Sequence, residues 1–266
     1  MHANQIMINP GLLDAEKIKE LNYSFNNKTP FKFLVIDDFL IAEPAAHIEA
    51  AFPSIDSMKV RYKGINEDKA EDSSFEKFDP IIKELNAFIH SPVLNEWLSN
   101  VTGLKNLSTI NDRLGAGLHQ GGNNSFLDIH IDYNIHPIQK KQRKLNLLIF
   151  FNKGWKEEWG GQLELWDKTS CFIKILPSFN RMVLFECNEI SYHGYSTINC
   201  PDSITRKSYY HYFFQPIAAG TTYHDTIFLA KDSYSFRKKA LTKSKEFLKN
   251  KIKLIFYKTG LQRFLK

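Results

Sequence analysis

The hydrophobic pattern of the chain changes character near Gly103. Ahead of it, apolar residues recur at helical spacing over Phe78 to Ile89 and over Pro92 to Val101, the second run stopping at the glycine. Asp14 to Asn22 reads as a short helix, and Ala42 to Phe52 as an alanine-rich helix ended by Pro53. Phe31 to Leu40 reads as an entering strand, and Arg61 to Ser74, polar and charged, as a loop able to lie over a site. Beyond Gly103 the period falls to two. Ser108 to Leu118, Phe126 to Asp132, Lys144 to Asn152, Gln162 to Trp166, Phe172 to Leu176, Arg181 to Cys187 and Arg206 to Ile217 are short, rich in aromatic and branched residues, and parted by Gly, Asn or Pro. Strands of that number and spacing predict a closed or double-sheet architecture, and helices segregated ahead of strands make the class α+β. No repeat or low-complexity segment interrupts the pattern.

Length and composition narrow this picture. A chain of 266 residues with 43% hydrophobic content can build one large packed domain with extensions. Cys171, Cys187 and Cys200 have neither pairing nor zinc-type spacing, and buried thiols in a reducing compartment are the simpler reading. The first residues lack a basic start followed by a long apolar region, and no run is long enough to span a bilayer, so a cytoplasmic protein is expected. Charge is uneven. From Lys231 onward twelve Lys or Arg stand against Asp232 and Glu246, so the formal +6 belongs to the tail and the rest of the chain is mildly acidic.

Candidate chemistry begins in the strand Phe126 to Asp132. His130 and Asp132, two residues apart, point to the same face, so an imidazole and a carboxylate can reach one metal ion while Ile129 and Ile131 pack behind. His193, in Ser-Tyr-His-Gly-Tyr, supplies a third ligand. Two histidines and one carboxylate form the facial triad of non-haem Fe(II) oxygenases, which leaves positions open for co-substrate and dioxygen. Arg206 opens the next strand, and its planar fork suits the far carboxylate of a dicarboxylate whose other end chelates the metal. If Arg206 faces inward so does Ser208, whose hydroxyl can donate to the same carboxylate, whereas Lys207 faces away. Asn146, Leu148 and Phe150 share one face of the strand Lys144 to Asn152. His119 and His136 are further candidates, each read as a loop histidine.

The stretch from about Phe31 to Ile217 resembles the Fe(II)- and 2-oxoglutarate-dependent oxygenase superfamily, in particular its prolyl-4-hydroxylase-like branch. The resemblance is carried by His130-Ile-Asp132, Arg143-Lys-Leu-Asn-Leu-Leu-Ile-Phe-Phe-Asn152, Trp159-Gly160-Gly161-Gln-Leu163-Glu-Leu-Trp166, Pro177-Ser-Phe-Asn180-Arg181-Met-Val-Leu-Phe185, His193-Gly194 and Arg206-Lys-Ser208, in that order. It implies a double-stranded β-helix, a jelly-roll core of the cupin-like type, with N-terminal supporting helices. One oxygenase domain is expected over 1–230, with helical support in 1–105 and the jelly roll in 106–220. A basic amphipathic helical extension is expected over 231–266. It also implies a dioxygenase that uses Fe(II), 2-oxoglutarate and O2, with His130, Asp132 and His193 on the metal and Arg206, Ser208 and Asn146 on the co-substrate. Hydroxylation of a C–H bond, with release of succinate and CO2, is the implied reaction, on a prolyl or other amino-acid or peptide residue. A silent jelly-roll assembly module and a hydroxylase of sugar or lipid-linked intermediates at a membrane surface are the alternatives.

Three positions refine the resemblance. Relatives often hold the co-substrate with a tyrosine hydroxyl from the strand where this chain has Phe150. Related halogenases replace the carboxylate ligand by a small residue, and Asp132 fills that position, which favours hydroxylation. Tyr212 stands where nucleic-acid demethylases of the superfamily carry a second arginine, which disfavours nucleic acid; a small molecule or peptide is the expected substrate. In the tail, Ala240, Leu241, Phe247, Leu248, Leu254, Ile255 and Leu261 recur at helical spacing between Lys243, Lys245, Lys249, Lys251 and Lys253. The favoured expectation is that this apolar stripe docks on the barrel or a second subunit and leaves the lysines solvated; a peripheral membrane contact is the other.

Overall fold

The computed structural model describes residues 6–231 and 234–260. Four helices buttress the sheet: α1 (Ala15–Asn26), α2 (Ala42–Ala50), α3 (Pro80–Ile89) and α4 (Pro92–Thr102). Their limits follow from local chemistry. Asp14, Asp79 and Ser91 cap α1, α3 and α4 by accepting from the first-turn amides, and proline opens both α3 and α4. Gly103 closes α4 in the left-handed region.

Twelve strands follow the chain as β1 (Phe33–Ile36), β2 (Val60–Lys63), β3 (Glu67–Asp72), β4 (Ala116–Gly121), β5 (Phe126–Ile131), β6 (Lys141–Phe150), β7 (Leu163–Trp166), β8 (Cys171–Ile175), β9 (Arg181–Glu186), β10 (Tyr192–Tyr195), β11 (Arg206–Pro216) and β12 (Ile227–Phe228). They pair antiparallel in the order β1-β9-β6-β11-β4-β3-β5-β10-β7-β8, with β2 on β3 and β12 on β5. The result is a curled jelly roll, the α+β class that the strand pattern implies.

Strand alternation divides the interior. Leu145, Leu147 and Ile149 of β6 join Leu85, Leu98 and Phe213 in the main core beneath the helices. Phe150 of β6 turns the other way and packs with Leu163, Leu165 and Phe185 inside the curl, with Leu148 against them. That inward face also carries Asn146, so β6 delivers side chains to the same hollow as β5, β10 and β11.

Three expectations are corrected. The Arg61–Ser74 stretch is not a loop: β2 and β3 form a hairpin, and β3 is a sheet member between β4 and β5. Its inward residues are Glu67, Lys69 and Glu71, a polar row whose period carries no hydrophobic signal. Strands β2 and β3 therefore join β1 among the helices rather than following them. Near Ser108 only one bridge, to Phe214, is strand-like, because Asp112 turns the chain by accepting from Leu114 N and Gly115 N before β4 begins.

The tail forms α5 (Phe236–Thr259), capped by Ser235 and by Gly260. It docks on the barrel by its polar face, which corrects the expectation that the apolar stripe packs there. Thr242 meets Asn66, Glu246 accepts from Phe228 N, and Lys249 and Lys253 pair with Asp225. The barrel surface beneath offers carboxylates and backbone groups, which match lysines better than leucines. Leu241, Phe247, Leu248 and Ile255 of the apolar stripe are exposed. Leu261 lies outside the described residues.

Candidate active site

His130 sits inward on β5, and β10 pairs with β5 so that His193 lies opposite it, with ring centroids 4.4 Å apart. Gly194 makes this approach feasible: a Cβ there would lie 2.5 Å from Leu127 O. Asp132 follows β5 directly. Its Oδ1 is 3.6 Å from His130 Nε2 and its Oδ2 is 3.6 Å from His193 Nε2. These gaps are too long for hydrogen bonds and close to the ~3 Å separation of adjacent ligands on one ion with bonds of about 2.1 Å.

The surroundings prepare all three groups as donors. His130 Nδ1 is 2.9 Å from Asp128 O and His193 Nδ1 is 3.2 Å from Ser191 O, which turns both Nε2 lone pairs toward Asp132. Burial and the neighbouring His130 push the His193 imidazole down to about 4, so it is neutral at physiological pH. Burial alone would raise the Asp132 carboxyl, but Arg143 and the two imidazoles hold it well below the usual carboxylate range. Arg143 Nη1 stands 2.6 Å from Asp132 Oδ2, and Asn146 Nδ2 lies 3.3 Å from the same oxygen. The contact with Arg143 is an ion pair without hydrogen-bond alignment, and its guanidinium nitrogens have no other acceptor among the described residues. Its plane is held instead between the rings of Tyr133 and Tyr212, at 3.7 and 3.5 Å. Among the described residues, His130, Asp132 and His193 are the group of three whose ligand atoms all lie within 4.8 Å.

Arg206 and Ser208 line the same cavity as this triad, together with Asn146, Leu148 and Tyr195. Arg206 donates from Nε to Gly161 O at 2.7 Å and lies over the rings of Phe150 and Tyr195. The positive φ of Gly161, 68°, aims that carbonyl, which gives the Gly-Gly pair a use beyond strand entry. Burial lowers the guanidinium to about 10, so it remains a cation, and no carboxylate pairs with it among the described residues. Ser208 Oγ and Asn146 Oδ1 are buried without hydrogen-bond partners. A bound carboxylate would accept from the Ser208 hydroxyl and from the unpaired Arg206 cation; Asn146 Oδ1 is itself an acceptor, and the Asn146 amide already donates to Asp132. Lys207 points away and pairs with Glu49.

The two further histidines take different places. His119 is in β4, lines the cavity and sits 3.2 Å from Tyr195 OH, whereas His136 pairs with Asp112. Lys69, unassigned by sequence reasoning, reaches the cavity from β3 between Glu71 at 2.6 Å and Glu67 at 3.5 Å. The Glu-x-Lys-x-Glu alternation was the available signal. Arg143 opens the stretch Arg143–Asn152, but nothing local announces that it reaches Asp132 from another strand.

Residues 116–214 match the profile of the 2OG-Fe(II) oxygenase superfamily. No curated protein gives a significant sequence match. Among solved structures, this chain is similar to a prolyl hydroxylase from Trichoplax adhaerens in complex with a peptide of the hypoxia inducible factor oxygen degradation domain. The two share 19% identity, 75% of this chain and 90% of that one are covered, and the TM-score is 0.53. It is similar also to a Pseudomonas putida prolyl-4-hydroxylase, at 14% identity, 74% and 100% coverage and TM-score 0.53. The non-heme alpha ketoglutarate dependent carbocyclase SnoK of nogalamycin biosynthesis matches at 10% identity, 81% and 87% coverage and TM-score 0.53. Such likenesses establish the fold, which hosts several chemistries.

A wider cavity of about 610 Å³ opens from His130 and Asp132. Tyr62, Arg143 and Tyr212 contribute to its walls, and α5 contributes Lys245, Lys249 and Lys253. Among the described residues, no helix is long and apolar enough to cross a membrane.

Proposed function

We propose that the chain hydroxylates an unactivated C–H bond, using Fe(II), 2-oxoglutarate and O2, with His130, Asp132 and His193 as the metal ligands. The observation that carries this reading is the shared cavity: three prepared donor atoms at one end and the unpaired Arg206 with Ser208 at the other. The bound metal would supply dioxygen activation coupled to decarboxylation of 2-oxoglutarate, so that one oxygen atom enters succinate and the other the substrate, with CO2 released. The protein's part is placement. Arg206 and Ser208 hold the distal carboxylate of the co-substrate, and Asn146 and Arg143 fix the carboxylate of Asp132. Leu148 and Leu163 form dry walls between the two ends.

The outer cavity would receive the substrate, and its breadth suits a peptide segment or an amino-acid-sized molecule. The peptide bound by the Trichoplax relative supports a peptidyl residue, proline included. Asp132 fills the carboxylate position, which favours hydroxyl over halide transfer. Membrane contact and dimerisation through α5 are alternative partner readings, and neither is needed for this chemistry.

The test is succinate release in the presence of Fe(II) and 2-oxoglutarate against proline peptides, free amino acids and sugar nucleotides. One class is expected to raise succinate and to gain one oxygen atom by mass, with both signals lost in His130→Ala. Absence of succinate above the metal-free blank for every class would contradict the reading.

A further inference from the structure

Helix α5 presents two faces of opposite character, and the docked one is polar. Thr242, Glu246, Lys249 and Lys253 recur every three or four residues and meet the barrel. The opposite face carries Leu241, Phe247, Leu248, Ile252 and Ile255, with Phe247 63%, Leu248 61% and Ile255 60% exposed. From Leu241 to Ile255 this row runs roughly 21 Å along the helix. Arg237, Lys243, Lys245, Lys251 and Lys258 are exposed along and beside it, and Lys251 lies over the ring of Phe247 at 4.1 Å. Glu246 is the one acidic residue of α5, and it is buried against the barrel.

We propose that this outer face docks α5 on an anionic phospholipid surface, lying in the plane of the interface rather than crossing it. An exposed row of large apolar side chains gains by entering the acyl boundary. The basic side chains extend their aliphatic stems along that row and place their charges at the phosphates. A second copy of the chain is a poor occupant, because two-fold pairing would set these cations against the same cations with no carboxylate of α5 between them. Lys245 lines the outer cavity from this helix, so docking would bring the cavity mouth beside the headgroups.

The inference does not depend on the hydroxylase reading, since its test needs neither iron nor 2-oxoglutarate. The full chain is sedimented with vesicles of phosphatidylcholine alone and of phosphatidylcholine with phosphatidylserine. Affinity for the serine-containing vesicles is expected to be roughly tenfold higher or more, and to fall as salt rises. Phe247→Glu with Leu248→Glu should abolish binding with an unchanged melting temperature, because both side chains are exposed. Arg237→Glu with Lys251→Glu should remove the preference for anionic vesicles. Equal binding to both vesicle types, no binding to either, or a dimer in solution that Phe247→Glu disperses would each overturn the proposal.

Discussion

Replacing Arg206 by methionine separates a binding role from a structural one, because the two predict opposite changes in stability. Arg206 is 2% exposed, and burial lowers its guanidinium from 12.5 to about 10. At 1.36 kcal/mol for each tenfold change, holding that charge in the ligand-free protein costs about 3 kcal/mol. Methionine removes this cost and fills much of the same volume. Against it stand the hydrogen bond to Gly161 O and the contacts with Phe150 and Tyr195, together worth about 2 kcal/mol. The net is a gain of about 1 kcal/mol, or a melting temperature roughly 2–4 °C higher. Co-substrate binding should move the other way. Two charge-assisted hydrogen bonds to a carboxylate contribute about 3–6 kcal/mol, so the 2-oxoglutarate requirement should rise roughly 10²- to 10⁴-fold. Differential scanning calorimetry and 2-oxoglutarate titration at fixed iron measure the pair, with metal content as a control. A lower melting temperature with an unchanged 2-oxoglutarate requirement would refute the assignment and make Arg206 a structural residue.

Further predictions concern the triad and its supports. Asp132→Ala should abolish stoichiometric iron binding and destabilise the apoprotein by about 3–5 kcal/mol, because Arg143 is left buried and unpaired; adding Arg143→Met should restore much of the stability but no iron binding, as read by denaturant melts and metal analysis. Gly194→Ala should force β10 away from β5 and weaken metal binding more than His119→Ala does, which iron titration would reveal. The apoprotein should lose stability in mild acid. His119 and His211 are held well below 6.5 by burial and His193 at about 4, so below pH 6.5 the unfolded chain takes up protons that the folded chain refuses. His224, lowered by burial but raised on balance by Glu189 and Asp225 together, works in the opposite sense. The balance, with His90 also lowered by burial, is a net loss of stability between pH 7 and 5.5, and a flat urea midpoint across that window would contradict it.

What the sequence made legible was whatever sat on a strand with an apolar alternating partner set. His130 and Asp132 were readable because Leu127, Ile129 and Ile131 mark β5 around them, and Ser208 followed from Arg206 by alternation. His193 was readable by residue type, although β10 is only four residues long and was not foreseen as a strand. The hairpin was not legible because β2 is exposed throughout and β3 turns charged residues inward, so neither face alternates in hydropathy. Arg143 and Lys69 reach the cavity from strands whose neighbours are set by the order β6-β11-β4-β3-β5, and that order is a long-range property of the sheet. The direction of α5 was reversed for a related reason. Its helical period was plain, but which face docks depended on Asp128 and Asp225 waiting on the barrel.

The central claim, that two imidazoles and one carboxylate from β5 and β10 grip a single iron beside an arginine-anchored 2-oxo acid, is tested most directly by anaerobic titration. Fe(II) is added to the apoprotein with 2-oxoglutarate, and the weak visible charge-transfer band of the chelate is followed. The account predicts a band that saturates at one iron per chain, requires 2-oxoglutarate, and is absent in Asp132→Ala and in His193→Ala. A band that persists without His193, or wild-type protein that binds no iron at one equivalent, would contradict it.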